Sequence, residues 1–424
     1  MVLHLSNALK GIRFYRMPDI PYDLMFKRLS MINECHIEDK LYRAPLSLIR
    51  RALFPELVKF ELHKEKGAKI LFYQADPSRK SNEINFLKAV KTINSYDFII
   101  ERHGKKRFFY EGFIILSVLV PVWIYQLRSR GLNLIEKYQI VKDLIGLYPI
   151  QKYFRQIDFY KYSLLVCYHD CVQHECLLNL MFKDKGITTS TLQHGQFNAW
   201  RENTYINCGL ELSCSPSDYF LCWNKFTQDE AIKCGWIKER TPIVGVISNI
   251  GRGRVKCIKS NNGVFGVVLS HPSWHQDNLD MIRAANLLAS HENLRYYLKL
   301  HPNYEEKDFE DCVDENFCLG NVKKGIDLLE YANMVDFSVV GSSSVFAELV
   351  YFYHDIIRYS SQLASDKYRD ISIGNVFYTP DGIVESYHNI TGKAKDALFK
   401  YLCETNNAER RYKEFFKKYD NRIV

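Results

Sequence analysis

The chain has 424 residues, a formal net charge of +8, 47% hydrophobic residues and 25% charged residues. That length holds two α/β domains with full cores, and that composition excludes disordered and fibrous classes. A charge of +8 at this length suits an anionic substrate or an anionic membrane face and does not call for nucleic acid.

The twelve cysteines are scattered, with no Cys-x-x-Cys pair. Met1 to Ser6 lacks the apolar stretch of a signal peptide. Reduced thiols in a cytoplasmic protein are the expectation. Phe108 to Leu127 is mostly apolar, with Lys105, Lys106 and Arg107 before it and Arg128 and Arg130 after it. Glu111 and Pro121 interrupt it, and its uncharged core, Gly112 to Gln126, is shorter than the roughly 20 residues of a span. It reads as a buried or interfacial helix whose basic flanks suit an anionic membrane surface.

After Lys69 strands and helices alternate. Lys69 to Gln74, Tyr162 to Cys167, Ile187 to Leu192, Tyr219 to Trp223 and Pro242 to Val246 read as strands. Val172 to Lys183, closed by Gly186, and Thr227 to Cys234, closed by Gly235, read as helices. Ser248 to Gly263 reads as a linker. The pattern then restarts: strands at Val264–Leu269, Tyr296–Leu300, Val335–Val340 and Ile356–Tyr359, and helices from Asp277 or Asn278 to Ala289, at Ile326–Ala332 and at Val345–Tyr351. Such alternation implies parallel sheets with helices on their faces. The expected domains are 1–247 and 264–392, followed by a basic helical segment, 393–424, available to pack back on the first domain.

Ligands of such sheets bind outside the carboxyl ends of the strands. Gly341-Ser342-Ser343-Ser344 joins a strand to a helix, where free N–H groups, three hydroxyls and a close-approaching glycine suit phosphate. The structural alternative is a simple helix cap. Glu348, one turn on, suits ribose hydroxyls or the surface. His301-Pro302 ends another strand, with Lys299 on the same face; both suit an anion. His271 and His275 end a third. Pro272 between them, with no third ligand at metal spacing, argues for phosphate contact over zinc.

In the first half, Gln193-His194-Gly195 follows a strand. His194 is the candidate general base, with Gln193 and Gln196 as acceptor or sugar contacts. A satisfied buried histidine is the alternative, and Asp170, at another strand end, is a second candidate base. Walker, dinucleotide and nucleophile-elbow motifs are missing.

Leu192-Gln193-His194-Gly195, Ser217-Asp218-Tyr219-Phe220 with Trp223, Gly245, Lys299-Leu300-His301-Pro302 and Ser342-Ser343-Ser344 with Glu348 together resemble bacterial GT-B glycosyltransferases of surface-polysaccharide synthesis. The pattern is similar to the capsule and polysialyltransferase-like enzymes and to the CDP-glycerol glycerophosphotransferases. The resemblance spans about Leu165 to Tyr359. It implies two Rossmann-like domains facing a cleft, with His301 and Ser342 to Ser344 as ligands of the donor's phosphates and His194 as the catalytic histidine. It implies no cofactor or metal, and a CMP-, CDP-, UDP- or GDP-linked donor with a glycan or lipid-linked acceptor. The acidic pair of the polysialyltransferases is not evident, and position 356 is Ile where a second glutamate would mark a retaining enzyme. That favours inversion. An epimerase, a CDP-alcohol phosphotransferase and a non-catalytic binding module are the alternatives.

Overall fold

The computed structural model describes residues 8–25, 44–55, 58–75, 80–102, 104, 108–170, 173–195, 215–247, 262–322, 325–343, 345–361, 368, 371, 373–390, 392–403 and 407–420. Gln196, Ser344 and 248–261 of the expected linker lie outside the described residues.

Among the described residues twelve strands form two sheets. The first contains β1 (Lys59–His63), β2 (Ile70–Gln74), β3 (Asp97–Arg102), β4 (Leu164–Cys167), β5 (Thr188–Leu192) and β6 (Tyr219–Leu221), in the order β1-β3-β2-β4-β5-β6. The second contains β7 (Val264–Val268), β8 (Arg295–Lys299), β9 (Cys318–Asn321), β10 (Ser338–Val340), β11 (Ile356–Tyr359) and β12 (Asn375–Phe377), in the order β12-β11-β10-β7-β8-β9. All pairs are parallel except β1 with β3. Without its edge strand β1, the first sheet has the flavodoxin-like order, and the second has the dinucleotide-fold order. Their switch points, where crevices open, lie between β2 and β4 and between β7 and β10.

The central strands are mostly apolar because helices cover both faces. Every residue of β2, β4, β7, β10 and β11 is buried. Two expectations shift. Pro242 to Val246 supplies only one bridge, Cys222 to Ile243, because Gly245, at φ +98°, turns the chain away. The helix expected from Asp277 runs instead over His275–Glu292. Asn278 is not its cap; its amide holds the backbone of Ser270.

Helix Leu134–Phe154 went unread in the sequence. Its buried residues lie nearly all round it, so no apolar stripe marks it. The segment Gly112–Leu127 is three continuous helical pieces with a π turn, Ile115–Leu119, in the middle. Among the described residues no helix is long and apolar enough to cross a membrane. The seven described cysteines carry free thiols.

The chain end returns to the first sheet. Helix Ala408–Lys417 buries Tyr412, Phe415 and Phe416, and the Phe416 ring lies 5.3 Å from that of Phe72. In the other direction Phe226, which follows β6, packs in the second core with its ring 5.9 Å from those of Tyr368 and Tyr401.

Gly266, inside β7, tests the packing. A Cβ there would lie 1.9 Å from the hydroxyl of fully buried Tyr331, which bonds Ser338. Gly266→Ala is expected to destabilise the protein by about 1–3 kcal/mol, read as a lower urea midpoint. Gly195→Ala, with nothing within 4 Å of its Cβ, is the control expected to leave the midpoint in place.

Candidate functional site

Polar side chains gather at the carboxyl edges of both sheets. In the second sheet they surround the switch point. Ser270 follows β7, and Asn278 fixes its backbone: Ser270 N–H donates to Asn278 Oδ1 at 2.8 Å, and Asn278 Nδ2 donates to Ser270 O at 3.0 Å. The Ser270 hydroxyl is buried and has no hydrogen-bond partner among the described residues. A buried hydroxyl without a partner is costly and usually marks a missing ligand or water. Across the crevice, Gly341 follows β10, and a Cβ there would lie 3.3 Å from Ser270 Oγ and 3.2 Å from Met281 Sδ. Glycine is what lets the two strand ends close up.

His271 and His301 extend this edge. Their rings meet edge to face with centroids 5.1 Å apart. His271 Nδ1 accepts the Ser273 N–H at 3.1 Å, and His301 Nδ1 accepts the Asn303 N–H at 3.2 Å. A nitrogen that accepts cannot carry the proton, so each neutral imidazole is protonated at Nε2. The fold thus sets two N–H donors side by side, a pair suited to an anionic oxygen. His275 lies apart from them, against Tyr304 at 3.1 Å. Among the described residues no group of three His, Cys, Asp or Glu is arranged to hold a metal ion.

The serine run divides. Ser342 is buried. Ser343 Oγ accepts the Val345 N–H at 3.3 Å, so it caps the seven-residue helix Val345–Tyr351. Lys299 lies over the Tyr331 ring at 5.5 Å; burial lowers its pKa, and the charges of Glu348 and Asp327 push it back up.

In the first sheet His194 is half-buried and lies against His169, the rings tilted by 33° with centroids 3.8 Å apart. Gln193 holds it there. The Gln193 amide donates to Gly195 O at 2.7 Å and Thr227 Oγ1 at 3.1 Å, and accepts the Trp223 N–H at 2.6 Å. The expectation that Gln193 contacts a sugar is corrected: the side chain is fully buried and its amide is occupied by the fold. Gly195 is not among the positive-φ glycines. The turn is set by Gln193.

Asp170 is 2% exposed. Its Oδ2 accepts from Ser215 Oγ at 2.5 Å and from the Ser217 N–H at 3.2 Å, tying β4 to the segment before β6. These bonds fit a structural carboxylate better than a base open to substrate.

Sequence reasoning missed one cluster. Glu101, at the end of β3, accepts from Tyr73 and from His174 Nδ1, the latter at 2.9 and 3.0 Å. Glu175, next on the same helix, Gln173–Asp184, spans the switch crevice: it accepts the Ala75 N–H at 2.9 Å and the His169 N–H at 2.6 Å. Burial pushes its carboxyl well above the usual range against the pull of those two bonds. A glutamate directly after the apolar run Phe98-Ile99-Ile100 was the available signal for Glu101.

No protein-family model matches the chain, and no curated protein matches it. Solved structures do. The S. aureus MnaA–UDP structure superposes with a TM-score of 0.52 at 12% identity, over 84% of this chain and 98% of that one. UDP-GlcNAc 2-epimerase from Neisseria meningitidis, bound to UDP-GlcNAc, gives 0.51 at 10% identity, over 82% of this chain and 100% of that one. A putative UDP-N-acetylglucosamine 2-epimerase from Listeria monocytogenes gives 0.52 at 11%, over 84% and 98%. At such identities the likeness concerns architecture, and with the two parallel-type sheets it establishes an α/β, two-domain GT-B fold for this chain.

Proposed function

We propose that the chain is a nucleotide-sugar glycosyltransferase of surface-polysaccharide synthesis. It moves a sugar, with inversion, to a hydroxyl of a glycan or lipid-linked acceptor. The observation that carries this is the His271–His301 pair, two imidazoles whose Nε2–H groups are fixed as donors beside the switch point of the second sheet. The leaving group of a sugar transfer is a nucleotide phosphate, and its developing charge needs donors already in place. Ser270, Ser342 and Lys299 supply further donors at the same edge. The edge of the first sheet, with His194 on His169, takes the acceptor and its proton, and closure of the cleft would bring the two edges together.

The solved structures with this fold include the S. aureus MnaA–UDP structure and the Neisseria meningitidis UDP-GlcNAc 2-epimerase bound to UDP-GlcNAc. That supports nucleotide-sugar binding here and makes an epimerase the second reading. The two differ in one respect: an epimerase turns over its nucleotide sugar without an acceptor.

A peripheral membrane position completes the proposal. The outer face of Gly112–Leu127 carries Phe113, Ile114, Val118, Pro121, Ile124 and Tyr125, all exposed. Phe54, Phe108 and Tyr110 extend it; the Phe54 and Phe108 rings lie 5.7 Å apart, and Tyr110 is 76% exposed. Exposed Arg50 and Arg128 border it, Arg128 standing 3.8 Å over the Tyr125 ring. Glu111, its one carboxylate, is paired with Lys152 at 2.6 Å. An apolar face with a basic border fits anionic lipid.

Four measurements check these readings. With CMP-, CDP-, UDP- and GDP-linked donors offered with and without acceptor glycans, nucleotide release is expected only when acceptor is present. Conversion of a donor to its epimer without acceptor and without net nucleotide release would instead establish the epimerase, and neither release nor conversion of any donor would defeat both. On the donor that works, His271→Ala and His301→Ala should each weaken nucleotide binding about tenfold or more in calorimetry. His194→Ala should keep that affinity and lose at least tenfold in kcat/KM for the acceptor. For the membrane face, wild type should float with vesicles containing anionic phospholipid and not with neutral ones. Phe113→Asp with Ile124→Asp should abolish flotation and leave turnover of a soluble acceptor unchanged.

A further inference from the structure

We propose that His174 is a further catalytic residue, the base that takes the acceptor's proton, and that Glu101 is its positioning residue. This rests on the transferase reading and identifies the base within it. His194, against His169, is then an acceptor contact.

The geometry begins with the sheet. In parallel register Tyr73 lies beside Ile99 on β3 and Cys167 on β4, and Cys167 beside Thr191 on β5. Carried two residues further, Glu101, Ala75, His169 and Gln193 fall in one row across the carboxyl edge. Strands are about 4.8 Å apart, so Glu101 stands roughly 10 Å from the His169–His194 pair along that row. Helix Gln173–Asp184 begins above the row, and Glu175 clamps it to Ala75 and His169. His174 is thereby held over Glu101.

What the pair can do follows from its bonds. Both oxygens of Glu101 receive His174 Nδ1, at 2.9 and 3.0 Å, so Nδ1 carries the proton and Nε2 is the basic nitrogen. The Glu101 side chain is 5% exposed and the His174 side chain 24%, so the carboxylate is floor and the imidazole is reachable. Tyr73 donates a second bond to Glu101 from β2 and fixes it further. A base oriented by a buried carboxylate, its other nitrogen toward solvent, is the arrangement acid–base catalysis needs. The other titratable groups packed around the pair are Glu175 on the same helix, with burial favouring its neutral form, and Asp170 and Cys167 from β4 and its end.

The step balances. The acceptor oxygen bonds to the donor's anomeric carbon. The bond from that carbon to the phosphate oxygen breaks, and its electron pair leaves with the nucleotide. The acceptor's proton passes to His174 Nε2 and then to water.

The test is the pH dependence of kcat, with nucleotide affinity measured beside it. His174→Ala should lower kcat by about 10²–10⁴-fold and remove the acid limb of the profile, with nucleotide affinity unchanged. Glu101→Gln should lower kcat with nucleotide affinity unchanged, because a neutral amide no longer holds the ring firmly with its proton on Nδ1. His174→Gln separates catalysis from architecture. Gln can still donate to Glu101, so a structural role would be rescued and a base would not. Activity of His174→Gln within about threefold of wild type, with the acid limb in place, would overturn the proposal while the transferase reading stands. A wild type that releases nucleotide from no donor would overturn both.

Discussion

Covering both faces of each sheet with helices is the constraint from which the rest of this structure follows. A strand buried on both sides carries little charge along its length, because an unpaired buried charge costs several kcal/mol; Arg358 in β11 is the exception, donating to Ile371 O at 2.8 Å. β2 and β7 accordingly run Ile-Leu-Phe-Tyr-Gln and Val-Phe-Gly-Val-Val, buried throughout. Chemistry is left to the strand ends, where helix starts and loops bring donors and water within reach. Parallel pairing puts all those ends on one side of each sheet. The reversal of strand order then opens a crevice between two of them. Ser270 opposite Gly341, and Glu175 bridging Ala75 and His169, sit at those two crevices.

Within that frame the histidines differ by which ring nitrogen the fold occupies. At the second sheet, backbone N–H groups aim at Nδ1 of His271 and His301, and each ring presents a donor. At the first sheet a carboxylate receives Nδ1–H of His174, and the ring presents an acceptor. One residue type thus presents donors on one side and an acceptor on the other. The local cause is simple: a loop that turns just past the histidine supplies an amide, whereas a neighbouring strand end supplies a glutamate.

Much of this was legible from residues. β11 and helix Val345–Tyr351 fall at their expected bounds, and β2, β4, β5 and β7 within two residues, because apolar runs bounded by glycine and polar turns leave little choice. His271, His301 and the Gly341 turn could be read because each follows such a run. What escaped did so for physical reasons. Edge strand β1, Lys-Phe-Glu-Leu-His, alternates with a polar face and looks like loop. Glu101 and His174 lie 73 residues apart, and only the pairing of β3 with β2 and the helix after β4 brings them together. Gln193 looked like a sugar ligand because sequence shows a side chain's chemistry and not whether the fold has already used it. The same blindness applied to Asp170, whose Oδ2 holds Ser215 and Ser217.

The doubly apolar segment Gly112–Leu127 shows the limit from the other direction. Its inner face, Ile115, Leu119, Trp123 and Leu127, is explained by the core. Its outer face is not, since a surface helix normally turns polar groups to water. The contrast with helix Ala408–Lys417 is direct. There Tyr412, Phe415 and Phe416 face the first core, and Glu409, Arg410, Lys413 and Glu414 form ion pairs on the outside. Both helices lie on the same domain, and both are read in the sequence as able to pack. Only one carries the polar face that water demands; the other leaves Phe113, Ile114, Val118, Ile124 and Tyr125 exposed.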